Sequence, residues 1–135
     1  MPTVYREADV FASPTYMEGF SNTILEAMAS ALPIVSCRAV GVVDCLRDGE
    51  NALLVEPGDV AALVVAFERV LGDAPLRARL ATAALDECRR TYSWVEVGDQ
   101  IVEAYRTAPA PRRNGCALAS IPIEPCRYRA EPHLL

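Results

Sequence analysis

Val10-Phe11-Ala12-Ser13-Pro14-Thr15-Tyr16-Met17-Glu18-Gly19-Phe20-Ser21-Asn22-Thr23-Ile24-Leu25-Glu26-Ala27-Met28-Ala29-Ser30-Ala31-Leu32-Pro33-Ile34-Val35-Ser36 is the stretch that decides the fold. It begins in a short apolar run, passes through a polar loop, enters a helical period near Asn22 and leaves through Pro33 into a second apolar run. Val10–Ala12 and Ile34–Ser36 read as strands that are continuous rather than alternating, as when both faces of a parallel sheet are buried. Strand, loop at residues 13–20, helix over 22–31 and strand together form a βαβ unit, whose strands must run parallel.

Outward from this unit, Thr3–Ala8 reads as the end of a helix, and Leu53-Leu54-Val55 as a third strand. From Asp59 the chain turns helical. Asp59 stands as N-cap before Val60, Leu63, Val64, Phe67, Val70 and Leu71, whose spacing draws one apolar stripe. A second helix follows Asp73 and Pro75, with Leu76, Leu80 and Ala84 inward and Arg77, Arg79, Arg89 and Arg90 on a solvated face. A third begins at Ser93, three residues before Glu96 as in a capping box, with Trp94, Val97, Ile101 and Tyr105 on one packing side. The expected architecture is α/β: an incomplete parallel sheet of about three short strands, crossover helices and a helical C-terminal part over 1–108. Sheets commonly have about four to six strands, so further sheet is expected ahead of Met1. From about Pro109 to residue 135 repeated Pro and no sustained period predict a poorly ordered tail holding Cys116 and Cys126.

The formal charge of −5, with 13 basic residues that are all Arg, excludes a dominant nucleic-acid role. No apolar run approaches the roughly 20 residues of a membrane span. The start lacks the basic and apolar regions of a secretory signal, so the cytoplasm is the expected compartment; Arg112-Arg113 is a weak signal for peripheral membrane contact. The 5 cysteines lack any CxxC pair, and the single His is His133. Neither a metal site nor a disulfide framework is expected, and the thiols read as small apolar residues.

Chemistry is expected in the loop and helix start. The loop leaves the carboxyl end of a buried strand, the rim where open α/β sheets bind ligands. Gly19 permits a close backbone approach. The helix starting near Asn22 aims unpaired N–H groups and a positive dipole end at the same space, which suits phosphate. Glu18 in the loop and Glu26 one turn inside the helix can both reach that mouth. Each has a plainer reading: Glu26 follows Thr23 at capping-box spacing, and Glu18 is otherwise a solvated carboxylate. Two carboxylates beside a phosphate site make sense facing hydroxyls, which donate to them; the ligand this describes is a polyhydroxylated phosphate ester, a sugar nucleotide.

Several motifs in order, Tyr5-Arg-Glu-Ala-Asp-Val, Glu18-Gly-Phe-Ser-Asn-Thr-Ile-Leu-Glu26-Ala-Met-Ala-Ser, Leu32-Pro-Ile-Val, Leu46-Arg-Asp-Gly-Glu-Asn-Ala-Leu-Leu-Val-Glu-Pro-Gly-Asp59 and Tyr92-Ser-Trp94, resemble the retaining GT-B glycosyltransferases of family 4. The resemblance implies the second half of a Rossmann-like, C-terminal donor-binding domain, transferring a hexose from a UDP- or GDP-type donor without a bound metal or cofactor. It implies that Glu18, with amides of Gly19, Phe20 and Ser21, holds donor-sugar hydroxyls as an orienting group at the catalytic centre. Amides of Asn22 and Thr23 would hold the diphosphate, and Glu26 the ribose hydroxyls. The family's diphosphate-neutralising Arg and Lys and its N-terminal acceptor domain have no counterpart in these residues, so the chain alone is expected to be inactive. The alternatives are a non-catalytic nucleotide-sugar-binding or interaction module and a truncated product without function. The family usually has Gly at positions 31 and 52, a Gly pair at 40–41 and Glu at 44. Of these departures Val40 is expected to cost most, because β-branched residues tolerate positive φ poorly.

Overall fold

The structure, a computed structural model, describes residues 2–108; the expectations for the tail fall outside them. The elements are α1 (Pro2–Glu7), β1 (Phe11–Ser13), α2 (Asn22–Ala29), β2 (Ile34–Cys37), β3 (Leu53–Val55), α3 (Val60–Gly72), α4 (Ala74–Thr91) and α5 (Trp94–Thr107). The strands form one parallel sheet in the order β1-β2-β3, with Phe11 opposite Ile34 and Val35 opposite Leu53. β1 begins one residue later than its apolar run, where the Phe11 N–H donates to the Pro33 carbonyl at 3.0 Å.

The sheet separates two apolar layers because successive side chains of a strand point to opposite faces. On one side Ile34 and Leu54 pack with Ile24, Met28, Val42, Leu46 and Ala84, placing α2 and the second half of α4 there. On the other, Val35 and Leu53 pack with Ala66, Val70, Leu76 and Leu80 from α3 and the start of α4. Ile24, Met28, Ile34 and Leu80 are fully buried, each stabilising the fold by about 1.5–3 kcal/mol over an exposed position. β2 is buried throughout and β3 nearly so, but β1 is not: Ala12 is exposed between half-buried Phe11 and Ser13. The contacts of α2 and α3 fall on β2 and β3, so a continuous apolar run at the sheet edge lacks the double cover expected of it.

Local signals set the helix starts. The side chains of Asp59, Asp73 and Ser93 accept from the backbone N–H of Ala62, Leu76 and Glu96, three caps legible in the sequence. α2 ends two residues before the predicted Ala31. Leu32 N–H donates to the Ala27 carbonyl and Ala31 N–H to that of Met28, each at 3.1 Å. This is a Schellman closure, which requires a left-handed residue. That residue is Ala31, at φ 54°, the one non-glycine at positive φ among the described residues.

The α/β architecture is as expected, and three expectations within it are corrected. The β1–β2 crossover is helical, whereas residues 38–52, between β2 and β3, hold turns and the isolated Asp48–Ala52 bridge, tied by polar side chains. Asn51, 2% exposed, accepts from Arg47 N–H at 2.7 Å and donates to the Cys45 carbonyl at 3.1 Å, while Asp48 accepts from Leu54 N–H at 2.8 Å. Of the α4 arginines, Arg79, Arg89 and Arg90 are exposed as expected, Arg79 reaching the Gly49 carbonyl from the surface, but Arg77 is half-buried and donates to the Val70 and Leu71 carbonyls at the end of α3. Trp94 is 90% exposed and Tyr105 81%, because the apolar stripe of α5 meets no surface among the described residues beyond contacts with α4. Val40 is not in the positive-φ region. Its position makes no demand on β-branching, whereas position 31 demands what glycine supplies.

Candidate functional site

The loop after β1 climbs from Pro14 to Ser21 over the carboxyl end of the sheet. Thr15 closes its first turn, its hydroxyl donating to the Met17 carbonyl at 3.0 Å and accepting from Met17 N–H at 3.3 Å. Glu18 is half-buried, and its N–H donates to the Val40 carbonyl at 3.1 Å. Gly41, at φ 83°, lies so close beneath that a Cβ there would stand 2.0 Å from the Gly19 carbonyl oxygen and 2.5 Å from that of Glu18. The 40–41 turn therefore braces the Glu18–Gly19 backbone, which explains the second glycine of that pair. Gly19 is different: its φ is ordinary and a Cβ there would meet nothing. Packing among the described residues does not require glycine at this position.

Phe20 leans on Tyr92, ring centroids 5.5 Å apart, and the Tyr92 hydroxyl donates to the Asp44 carbonyl at 3.2 Å. Ser21 is the N-cap of α2, yet its side chain makes no capping bond to the helix; its hydroxyl pairs with that of Thr23 at 3.0 Å. The first N–H groups of α2 at Asn22 and Thr23 are thus left without a side-chain cap, at the end of the helix that carries positive partial charge.

Glu26 does not close a capping box. Thr23 lies inside the helix, and one Glu26 oxygen accepts instead from the Tyr5 hydroxyl at 2.7 Å. That hydrogen bond, then burial and the Glu26 charge, raises the Tyr5 phenol above its ordinary range. Tyr5 reaches there from α1, its ring against Phe11 with centroids 6.1 Å apart. The sequence offered Tyr5 as part of a motif without a task for it.

Two openings flank the site. At the carboxyl ends of the strands a cavity of about 190 Å³ is lined by Pro14, Thr15, Tyr16, Cys37, Glu56 and Gly58 among others. Behind α2 a wider groove of about 580 Å³ runs past Asn22, Glu26, Arg89, Tyr92 and Trp94. The structure brings Glu18, Gly19, Phe20, Ser21, Asn22 and Thr23 together along the rim by contiguity, and sets Glu26 one turn below, beside α1. The thiols of Cys37 and Cys45 are buried and unpaired; burial above all, then the Asp44 charge, pushes Cys45 up to about 11, so it is protonated and unreactive at neutral pH.

The model of the family described as glycosyl transferases group 1 matches residues 1–73. A D-inositol 3-phosphate glycosyltransferase of Stackebrandtia nassauensis is 36% identical over 116 residues, covering 82% of this chain and 26% of that protein. Among solved structures, Anabaena HepE in complex with UDP aligns with TM-score 0.75 and 25% identity over 78% of this chain and 29% of HepE. The C-terminal domain of the group 1 glycosyl transferase family protein LpcC from Francisella tularensis aligns with TM-score 0.64 and 29% identity, over 69% and 48% respectively. The chain spans about a quarter of the length of the curated relatives it matches. With more than half of its residues under that family model and a parallel α/β sheet shared with GT-B structures, the chain belongs to the group 1 glycosyl transferases, in their C-terminal domain.

Proposed function

We propose that this stretch forms donor-recognition machinery of a retaining, family 4 hexosyltransferase, binding a nucleoside-diphosphate sugar. The observation that carries the reading is the start of α2: uncapped N–H groups at Asn22 and Thr23 stand between Glu18, whose backbone is braced by the 40–41 turn, and the tethered carboxylate of Glu26. Phosphate oxygens supply the missing cap. Glu18 and the amides of Gly19, Phe20 and Ser21 take the hexose hydroxyls, and Glu26 takes the ribose hydroxyls. The open space beside Gly19 suits a ligand approaching the backbone. That HepE was solved in complex with UDP and with UDP-glucose supports a UDP-hexose donor.

In the reaction so assigned, the bond from the sugar anomeric carbon to the diphosphate breaks as the bond to the acceptor oxygen forms on the same face. The acceptor proton passes to the departing phosphate. Glu18 orients the sugar and stabilises developing positive charge on it. A helix start contributes about half a unit charge, and residues 13–26 hold neither Lys nor Arg while the arginines elsewhere match no diphosphate-neutralising position of the family, so a departing diphosphate needs further cations. For that reason the 135 residues by themselves are a binding unit; this second reading, binding without turnover, rests on the charge inventory.

Calorimetry with UDP and GDP tests the site: one of them binds, and Glu26→Ala weakens it about tenfold, as for loss of a charge-assisted pair of hydrogen bonds. Incubation with UDP-glucose and D-inositol 3-phosphate gives no transfer. Absence of nucleotide binding overturns the donor-site reading, whereas turnover overturns the binding-only one.

A further inference from the structure

Among the described residues, Tyr5 is the one group outside the loop and α2 whose side chain grips a proposed ligand-binding carboxylate. We infer that Tyr5 is a positioning residue for nucleotide recognition, holding the Glu26 carboxylate in the rotamer that receives a ribose diol; the inference rests on the donor-site reading above.

Tyr5 is fixed at both ends, its ring half-buried against Phe11 and the apolar layer beneath α2, its hydroxyl 2.7 Å from Glu26 Oε2. Glu26 by contrast is exposed on the surface of α2, where a free Glu samples many rotamers and loses that freedom on binding. The bond from Tyr5 removes much of that cost before a ligand arrives, which is how preorganisation raises affinity. It also leaves acceptor capacity. An ionised carboxylate has about four lone-pair sites; Tyr5 occupies one on Oε2, so Oε1 and the remaining Oε2 site can accept from two vicinal hydroxyls. The raised phenol stays protonated at neutral pH and is therefore a donor. α1 and α2 are not consecutive, so this tether exists only when α1 is docked, which makes α1 part of the site.

The test uses the 135-residue chain and calorimetry with UDP, GDP and their 2′,3′-dideoxy analogues. Tyr5→Phe keeps the ring on Phe11 and removes only the hydroxyl. It is expected to raise Kd for the ribonucleotide about fivefold, the scale of one hydrogen bond, and to leave Kd for the dideoxy analogue within about twofold. In a Glu26→Ala background the same change is expected to have no further effect. Equal weakening of both ligands makes Tyr5 a structural residue and overturns the proposal, as does an unchanged ribonucleotide Kd when Glu26→Ala still weakens binding. If neither nucleotide binds, or Glu26→Ala is without effect, the donor-site reading itself falls and the proposal with it.

Discussion

Ala31 shows at single-residue scale how this chain departs from the geometry it must adopt. The Schellman closure after α2 holds it at φ 54°, where an L-residue with a Cβ is strained by about 1–2 kcal/mol. Ala31→Gly relieves that strain at the cost of a more flexible unfolded chain. We expect a net gain of about 1 kcal/mol in urea unfolding, with no change in the slope. The reading that gave position 31 a small effect and Val40 a large one had the two inverted. Sequence shows which residue types are unusual, but not which φ each position must take. Glu26 makes the same point: its spacing from Thr23 fits a capping box, and only the position of Tyr5, 21 residues away in sequence, decides that it is tethered elsewhere.

At the scale of elements, two turns do work usually given to helices. The 40–41 turn braces the Glu18–Gly19 backbone, and Gly41→Ala puts a Cβ within 2.0 Å of a carbonyl oxygen. Backbone on both sides must shift, so we expect a loss of about 2 kcal/mol or more in stability, together with weakened nucleotide binding measured by calorimetry. The β2–β3 connection is in turn fastened to α4 through Glu87, which bonds Arg47 at 3.2 Å and Arg90 at 2.5 Å. Burial pushes the Glu87 carboxyl up, but the hydrogen bond and charge of Arg47, with Arg90, outweigh it and hold the group below its ordinary 4.5. A lowered folded-state value means stability that is present above the unfolded value and lost as pH falls through the folded one. Glu87→Gln is therefore expected to cost about 1 kcal/mol at pH 7, modest because both arginines are half or more exposed. In thermal melts the gap to the unaltered chain should close as pH drops below about 4.5.

Over the whole molecule, the two apolar layers share the side chains of β2, so neither can be lost alone. We expect one cooperative unfolding transition by circular dichroism; a gradual, uncooperative melt would instead favour a product without a stable fold of its own. Trp94 is the single Trp and lies outside both layers at 90% exposure. Its fluorescence should match indole in water and barely shift through that transition. A native blue-shifted emission would mean that the apolar stripe of α5 is covered. Among the described residues no helix is long and apolar enough to cross a membrane.

The local code of this chain determined its elements. Continuous apolar runs gave three strands, Asp59, Asp73 and Ser93 gave three helix starts, and the βαβ order gave a parallel sheet, because hydrophobic periodicity and capping act over a few residues. The same code placed Glu18 through Thr23 along one loop and helix start, since neighbours in sequence stay neighbours at a turn. Tertiary structure alone decided the rest: that β1 is half-covered, that the stripe of α5 is largely uncovered by the described residues, that the Val40 carbonyl and the close-packed Gly41 support the loop, and that Tyr5 holds Glu26. Each of those depends on which distant surfaces meet, and no pattern along the chain encodes a contact between segments that only packing brings together.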